Sequence, residues 1–365
     1  MKVELIDLKN RYQDEKDDLL RCFDNVLKNG SLILTDEVKN FEKNVCDFTK
    51  SKFCLGLNSG TDALMMGLWS LGIKKGDEVI TSPISFVASV GAIVHVGAKP
   101  VFVDVKDDLN INEDLIESAI TEKTKAIMPI HWSGKVCDMN KINEIAKRNN
   151  LFVIEDSAQG MGAYFNDRHA GTFGDISAFS AHPLKNLNAI GDAGFVLTNN
   201  EDLYKSIKLF RNHGMESRDN VKIFGVNSRL DSLNAEILSY RLTRLEEVVS
   251  KRRNNIDLYK KYIKTNKVIL PNDSINSFDS YVMMISLCKE RDKLQSYLKT
   301  KNVQSLIYYG TPLHLHKASE SLGYKKGDFV NAERLADNVL SFPHHQYLTE
   351  EQIKYVSDCI NNFYE

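Results

Sequence analysis

Three short stretches of this 365-residue chain combine residue types suited to catalysis. The first is Asn58-Ser59-Gly60-Thr61-Asp62-Ala63-Leu64, where a Ser-Gly-Thr turn leaves an apolar run and opens a helix-period segment. Free N–H groups and the positive end of the helix dipole make such a turn a seat for phosphate, with the Thr61 hydroxyl adding a bond. Taken alone, these residues read equally well as a plain N-cap. Neither G-x-x-x-x-G-K-[ST] nor G-x-G-x-x-G is present, so the phosphate is not that of a nucleoside triphosphate or a dinucleotide. The second stretch is Leu151-Phe152-Val153-Ile154-Glu155-Asp156-Ser157-Ala158-Gln159, an apolar strand running into two acids. Neighbours on a strand point to opposite faces, so Glu155 and Asp156 cannot both enter one pocket. A carboxylate at that place serves as an N-cap, a metal ligand or the partner of a protonated ring nitrogen. The third is Phe179-Ser180-Ala181-His182-Pro183-Leu184-Lys185-Asn186-Leu187, followed by Gly191-Asp192-Ala193-Gly194. A lysine among small and apolar residues is a poor surface lysine. Burial lowers its pKa from the ordinary value of about 10.4 and makes it an imine-forming nucleophile; neutralisation by Asp192 or Asp156 is the bland alternative.

Together the three stretches describe one cofactor. Pyridoxal 5′-phosphate needs a phosphate seat, a lysine for its imine bond and a carboxylate that keeps the pyridine nitrogen protonated. Thr61, Lys185 and Asp156 supply one each. Phe86, in Ser82-Pro83-Ile84-Ser85-Phe86, is placed to stack on the ring, although a core phenylalanine reads the same way. No metal site is expected.

These residues must be held by regular elements. Short apolar runs at Phe53–Leu57, Glu78–Thr81, Pro100–Val103, Lys125–Ile130 and Leu151–Ile154 alternate with helix-period segments, the pattern of an α/β domain with a mainly parallel sheet. Such sheets bind ligands at the carboxyl ends of their strands, where the three stretches lie. Asp14–Asn29 and Asp36–Phe48 read as helices ahead of the sheet, and Ser228 to about Tyr262 as one long helical stretch behind it. A strand at Tyr281–Leu287 and helices at Lys289–Thr300 and Glu350–Phe363 then form a smaller C-terminal α/β unit. The expected domains are 1–245 and 246–365. The basic run Lys251-Arg252-Arg253 reads as a solvated helix face.

Composition narrows the class. At 42% hydrophobic and 26% charged residues the chain is an ordinary globular protein. With 47 basic against 49 acidic residues it offers no polybasic field for nucleic acid or an anionic membrane. Six scattered cysteines without a C-x-x-C pair read as reduced core thiols, and the polar N-terminus lacks the apolar region of a secretory signal. A cytoplasmic protein without a membrane span is expected.

At these residues the chain strongly resembles the sugar-nucleotide aminotransferases of the DegT/StrS type, which have the aspartate-aminotransferase fold, pyridoxal-phosphate fold type I. Matching stretches are Asn58–Leu64, Glu155–Gly162, Phe179–Leu187, Arg211–Gly214, Gly225–Asp231 and Pro312–Leu315, so the resemblance runs nearly end to end. It implies that Lys185 binds the cofactor and moves protons, that Asp156 pairs with the pyridinium, and that Gln159 contacts the ring hydroxyl. It further implies a phosphate site of Gly60, Thr61 and Ser180, completed by Asn227 from a second subunit in a homodimer with shared active sites. L-Glutamate would leave its nitrogen as pyridoxamine 5′-phosphate, and a keto sugar nucleotide would accept it. A dehydrating branch of the family carries histidine at the lysine position, so Lys185 favours transamination.

The long loop Lys185-Asn186-Leu187-Asn188-Ala189-Ile190-Gly191-Asp192-Ala193-Gly194 is similar to that of the carbon-three aminating branch, which points to a dTDP-3-keto-6-deoxyhexose. The pathway implied is amino-sugar synthesis for a surface glycan such as lipopolysaccharide or capsule. His182, Tyr308, Tyr309 and His314 are the expected acceptor contacts, through imidazole and phenol hydrogen bonds. Thr35-Asp36, Trp132, Ala181, Ala193 and Tyr308-Tyr309-Gly310 depart from the family pattern. Those departures leave room for a smaller acceptor, a ketose phosphate or keto-cyclitol. A non-catalytic pyridoxal-phosphate-binding regulatory protein is the third reading.

Overall fold

The computed structural model describes residues 1–30 and 32–365. Helices α1 (Leu8–Asn29) and α2 (Asp36–Thr49) precede the sheet. Asp7 caps α1 by accepting from the Asn10 N–H, and Gly30 closes it at φ +64°, a conformation open to glycine. The helix starts earlier than its apolar periodicity indicates because polar groups anchor its first turns: Arg11 donates to Asn188 Oδ1, and Glu15 accepts from Arg241.

The main domain alternates strands and helices. Its first half contains β1 (Phe53–Leu57), α3 (Gly60–Ser70), β2 (Glu78–Thr81), α4 (Val87–His95), β3 (Lys99–Phe102), β4 (Thr124–Met128), α5 (Met139–Arg148) and β5 (Phe152–Asp156). The hairpin β6 (Tyr164–Phe165) and β7 (Arg168–His169) leads to β8 (Ile176–Ser180), β9 (Gly194–Thr198) and α6 (Glu201–Phe210). Seven strands form one sheet in the order β1-β9-β8-β5-β4-β2-β3. Its pairs are parallel except that β9 runs antiparallel to both β1 and β8, with Gly194 opposite Leu57 on one side and Ser180 on the other. That register sets the carboxyl ends of β1 and β8 side by side. Both faces of the sheet are covered: Ile154, Ala126 and Met128 enter the core under α3 and α4, while Val153 and Ile127 enter the core under α5. Double coverage explains why the strands read as continuous apolar runs rather than alternating ones.

Beyond the sheet, β10 (Met215–Ser217) and β11 (Asn220–Val221) form a small exposed ribbon. The stretch expected as one helix is two, α7 (Ser232–Leu242) and α8 (Leu245–Tyr262). The break is local: Thr243 Oγ donates back to Tyr240 O at 2.7 Å, and Arg244 turns aside to Asp14 at 2.8 Å. The C-terminal part contains β12 (Val268–Ile269), β13 (Ser277–Phe278), β14 (Ile285–Cys288), α9 (Arg291–Thr300), α10 (Val330–Asn338), β15 (Val339–Ser341) and α11 (Glu350–Tyr364). Strands β12, β14 and β15 pair antiparallel over a core that includes Ile256, Tyr259, Leu294, Phe342 and Ile353, and Val3 from the N-terminus packs there too. The expected strand at Tyr281–Leu287 shrinks to Ile285–Cys288 because its first half bonds elsewhere. The Val282 N–H donates to Ser133 O, and Val282 O accepts from Arg252.

Candidate active site

A cavity of about 310 Å³ lies at the carboxyl ends of β1, β2, β4, β5 and β8. Of the expected cofactor contacts, Gly60, Thr61, Phe86, Asp156, Gln159, Ser180 and Lys185 all line it. Of the expected acceptor contacts, His182, Tyr308 and Tyr309 do so as well.

The β1–α3 turn is shaped for an anion. Ser59 caps α3 by accepting from the Asp62 N–H at 3.1 Å, and the N–H groups of Gly60 and Thr61, at the start of the helix, have no acceptor among the described residues. Glycine is required twice here for closeness of approach. A Cβ on Gly60 would stand 2.8 Å from Ser180 Cβ, and one on Gly194 would stand 2.3 Å from the Ser59 carbonyl carbon. The turn, Ser180 and the first residue of β9 therefore form one compact cradle.

Asp156 ends β5 facing this cavity, while Glu155 faces away, as strand alternation requires. Asp156 Oδ2 accepts from Ser89 Oγ at 2.6 Å and Oδ1 from the Ala158 N–H at 3.2 Å. Burial nevertheless pushes its carboxyl above the usual range, against the pull of those bonds and of Lys185. Such a carboxyl gains from a cation beside it. Glu155 is spent on structure: it takes the His131 Nε2 contact at 2.8 Å and accepts the N–H groups of Gly171, Phe173 and Gly174. Gln159 Oε1 accepts from the Ser133 N–H at 2.6 Å, which fixes the side chain, and its amide N–H groups have no acceptor among the described residues.

Lys185 sits in a loop pinned from several sides. Asn186 Nδ2 donates to Ser280 O, Arg11 donates to Pro183 O, and Arg241 donates to Asn188. The Lys185 side chain lines the cavity half-buried, and its ammonium makes no hydrogen bond among the described residues. Desolvation lowers it from 10.5 to about 8, with Asp156 pulling the other way. At pH 7 the reactive neutral amine is then roughly one molecule in ten, against about one in three thousand for an ordinary lysine.

On the far wall, Phe86 is 55% exposed with its ring 6.1 Å from that of Tyr309, and Trp132 packs edge-on to Tyr309 at 5.4 Å. Two expected residues do not join the group. His314 is buried away from the cavity, its Nε2 on Glu333 Oε1 at 3.1 Å and its ring against Phe329 at 4.8 Å. Asn227 is exposed outside the cavity, its backbone bridging to Asn212. Other lining residues escaped the sequence reading: Ser89, His131, Arg11 and Arg252. Arg252 corrects an expectation, since the run Lys251-Arg252-Arg253 is not a solvated face throughout. Val282 O and the cavity hold Arg252 inside, and only a register on α8 relative to its buried Val249, Ile256 and Tyr259 would have signalled it.

The desolvated lysine, the carboxyl in want of a cation and the anion cradle fit pyridoxal phosphate, the cofactor of the aminotransferases that the chain matches. The description of the DegT/DnrJ/EryC1/StrS aminotransferase family matches residues 13–361. The chain is similar, at 37% identity over 100% of its length and 99% of the relative's, to the pleiotropic regulatory protein of Geobacillus stearothermophilus. It is 36% identical, over 99% of the chain and 98% of the relative, to the dTDP-3-amino-3,6-dideoxy-alpha-D-galactopyranose transaminase of Aneurinibacillus thermoaerophilus. Its fold superimposes on the crystal structure of DesV from S. venezuelae with a TM-score of 0.97 at 32% identity, covering 100% of this chain and 99% of the other. The chain is a pyridoxal-phosphate-dependent aminotransferase of fold type I and belongs to the DegT/DnrJ/EryC1/StrS family.

Proposed function

We propose that the protein moves an amino group from L-glutamate to the keto carbon of a nucleotide-linked sugar, a dTDP-3-keto-6-deoxyhexose, in amino-sugar synthesis for a surface glycan. The observation that carries this reading is the meeting of Lys185, Asp156 and the Ser59–Thr61 cradle on one cavity. When bound, pyridoxal phosphate supplies an electron sink for the carbon that loses a proton, and stores the amino group between the two halves of the exchange. The chain does the rest. Gly60, Thr61 and Ser180 hold the phosphate, Asp156 keeps the ring nitrogen protonated, Gln159 meets the ring hydroxyl and Phe86 covers a ring face. Lys185 anchors the cofactor and is the base that removes and returns the proton in each half. His182, Tyr308 and Tyr309 meet the acceptor.

Carbon three is supported by the long Lys185–Gly194 loop and by relatives named as 3-amino-sugar transaminases from Aneurinibacillus thermoaerophilus and Micromonospora megalomicea. The reading includes domains 1–245 and 246–365, a cytoplasmic homodimer and a partner's Asn227 completing each phosphate site. The exposure of Asn227 in the single chain supports that last element. The experiment is a pair of half-reactions followed by the visible band of the lysine-bound cofactor. Glutamate bleaches the band and a dTDP-3-keto-6-deoxyhexose restores it; restoration by a ketose phosphate or keto-cyclitol alone would overturn the acceptor assignment.

A further inference from the structure

Arg252 projects from α8 into the active-site cavity and is 3% exposed. Its Nη1 donates to Val282 O at 2.6 Å, and its buried Nε has no acceptor among the described residues. Arg11, from α1, lines the same cavity at 5% exposure. Its Nη1 is likewise committed, to Pro183 O at 3.0 Å and Asn188 Oδ1 at 2.9 Å, and its buried Nε is also without an acceptor. In both residues the unspent donors are Nε and Nη2, the edge of the guanidinium that grips a carboxylate with two parallel bonds.

The charges around this pair do not balance. Arg252 feels Arg11 as a like charge, and burial with that repulsion lowers it to about 9. Arg11 is lowered by burial and by Arg241, with Glu15 and Tyr347 pulling only part of the way back. Glu15, the carboxylate whose charge acts on Arg11, is bonded instead by Arg241 through Nε at 3.0 Å and Nη2 at 2.6 Å. Neither Arg11 nor Arg252 forms an ion pair among the described residues. Two buried guanidiniums without a contacting carboxylate are costly, and an anion from solution relieves the cost.

The cofactor phosphate has its own cradle in the α3 N-terminus and Ser180, to which neither arginine contributes a bond among the described residues. Arg11 bonds Pro183 O, two residues from Lys185, and Arg252 bonds Val282 O beside Tyr281, whose carbonyl meets His344 Nε2, so the arginines line the cavity where the Lys185 loop and the C-terminal part come together. The sugar carries no charge beside its keto carbon, whereas an amino-acid donor brings carboxylates next to the reacting atoms. We propose that Arg252 and Arg11 form a carboxylate subsite that takes a carboxylate of the amino donor. The proposal rests on the aminotransferase reading and adds the residues that select the donor.

The test uses the holoenzyme and Arg252→Gln, Arg252→Lys and Arg11→Gln variants. In rapid mixing with L-glutamate, Arg252→Gln raises the half-saturating concentration by about 10- to 100-fold, with the position of the cofactor band and the limiting rate little changed. Arg252→Lys recovers part of the loss. Glutarate, an unreactive dicarboxylate, raises the unfolding temperature of the unsubstituted holoenzyme and fails to raise that of Arg252→Gln. Half-saturation by glutamate that stays unchanged in the variants that fold would overturn the subsite, and Arg11→Gln and Arg252→Lys carry the test if Arg252→Gln does not fold. A protein that never develops the cofactor band fails the parent reading before either arginine is changed, so the two failures are distinct.

Discussion

Lys185 and Asp156 are each pushed towards neutrality by burial, the lysine down to about 8 and the aspartate up from the usual carboxylate range. Both shifts are penalties in the cofactor-free protein, and their signs make them measurable. A lysine whose folded value is lowered costs stability wherever the unfolded chain would hold the proton, so the penalty is full below about 8 and gone above the ordinary 10.5. Lys185→Met is therefore expected to stabilise the cofactor-free protein by on the order of 1–3 kcal/mol at pH 7. Denaturant titrations at pH 7, 9 and 10.5 should show the gain shrinking as pH rises, and a gain that grows with pH would contradict the assignment. With cofactor present, Lys185→Ala removes the visible band of the lysine-bound form. Asp156→Asn should keep bound cofactor while losing turnover on the order of 10²-fold or more, because the ring nitrogen loses its anionic partner. Turnover close to that of the unsubstituted enzyme would remove that role from Asp156.

At the scale of elements, β9 decides the geometry of the phosphate cradle. It joins β1 to β8 with Gly194 between Leu57 and Ser180, and the lack of a side chain there lets the Ser59 carbonyl pass within van der Waals distance. Gly194→Ala is expected to cost about 1–3 kcal/mol through overpacking and to weaken cofactor binding, which thermal unfolding and cofactor titration read separately. Much of this level was legible in the sequence. Each of the five apolar runs marks a strand, and the residues just after four of them, β1, β2, β4 and β5, reach the cavity because parallel strands end there. What could not be read depended on partners distant in the chain. The first turns of α1 are held by Arg11 on Asn188 and Glu15 on Arg241, so no apolar period announced them. The α7–α8 break follows from Arg244 meeting Asp14, and the missing half of the Tyr281–Leu287 strand from Val282 bonding to Ser133 and Arg252. Arg252 itself carries a charged label that sequence patterning assigns to solvent, and only tertiary packing turns it inward. His314 illustrates the reverse: its motif is present, yet Glu333 and Phe329 claim the ring.

For the whole molecule, the described surface leaves apolar side chains uncovered on α1, where Leu20, Phe23 and Leu27 are each about half exposed, and Phe224 beside Asn227 is fully exposed. Among the described residues no helix is long and apolar enough to cross a membrane. The proposed homodimer would cover such groups and bring Asn227 to a neighbour's phosphate. Sites shared in this way can be detected by mixing defects. Two inactive variants, Lys185→Ala and Asn227→Asp, when refolded or co-expressed together in equal amounts, should regain roughly a quarter of the unsubstituted activity, because half the dimers are hybrids with one intact site. No regain would place Asn227 outside the shared site. The most direct measurement of the central claim is the visible absorption of the purified protein loaded with pyridoxal phosphate, followed through glutamate and then a dTDP-3-keto-6-deoxyhexose. The loaded protein should show a band that requires Lys185, bleaches with glutamate and returns with the keto sugar nucleotide. A band that persists in Lys185→Ala, or one that glutamate leaves untouched in the unsubstituted protein, would contradict it.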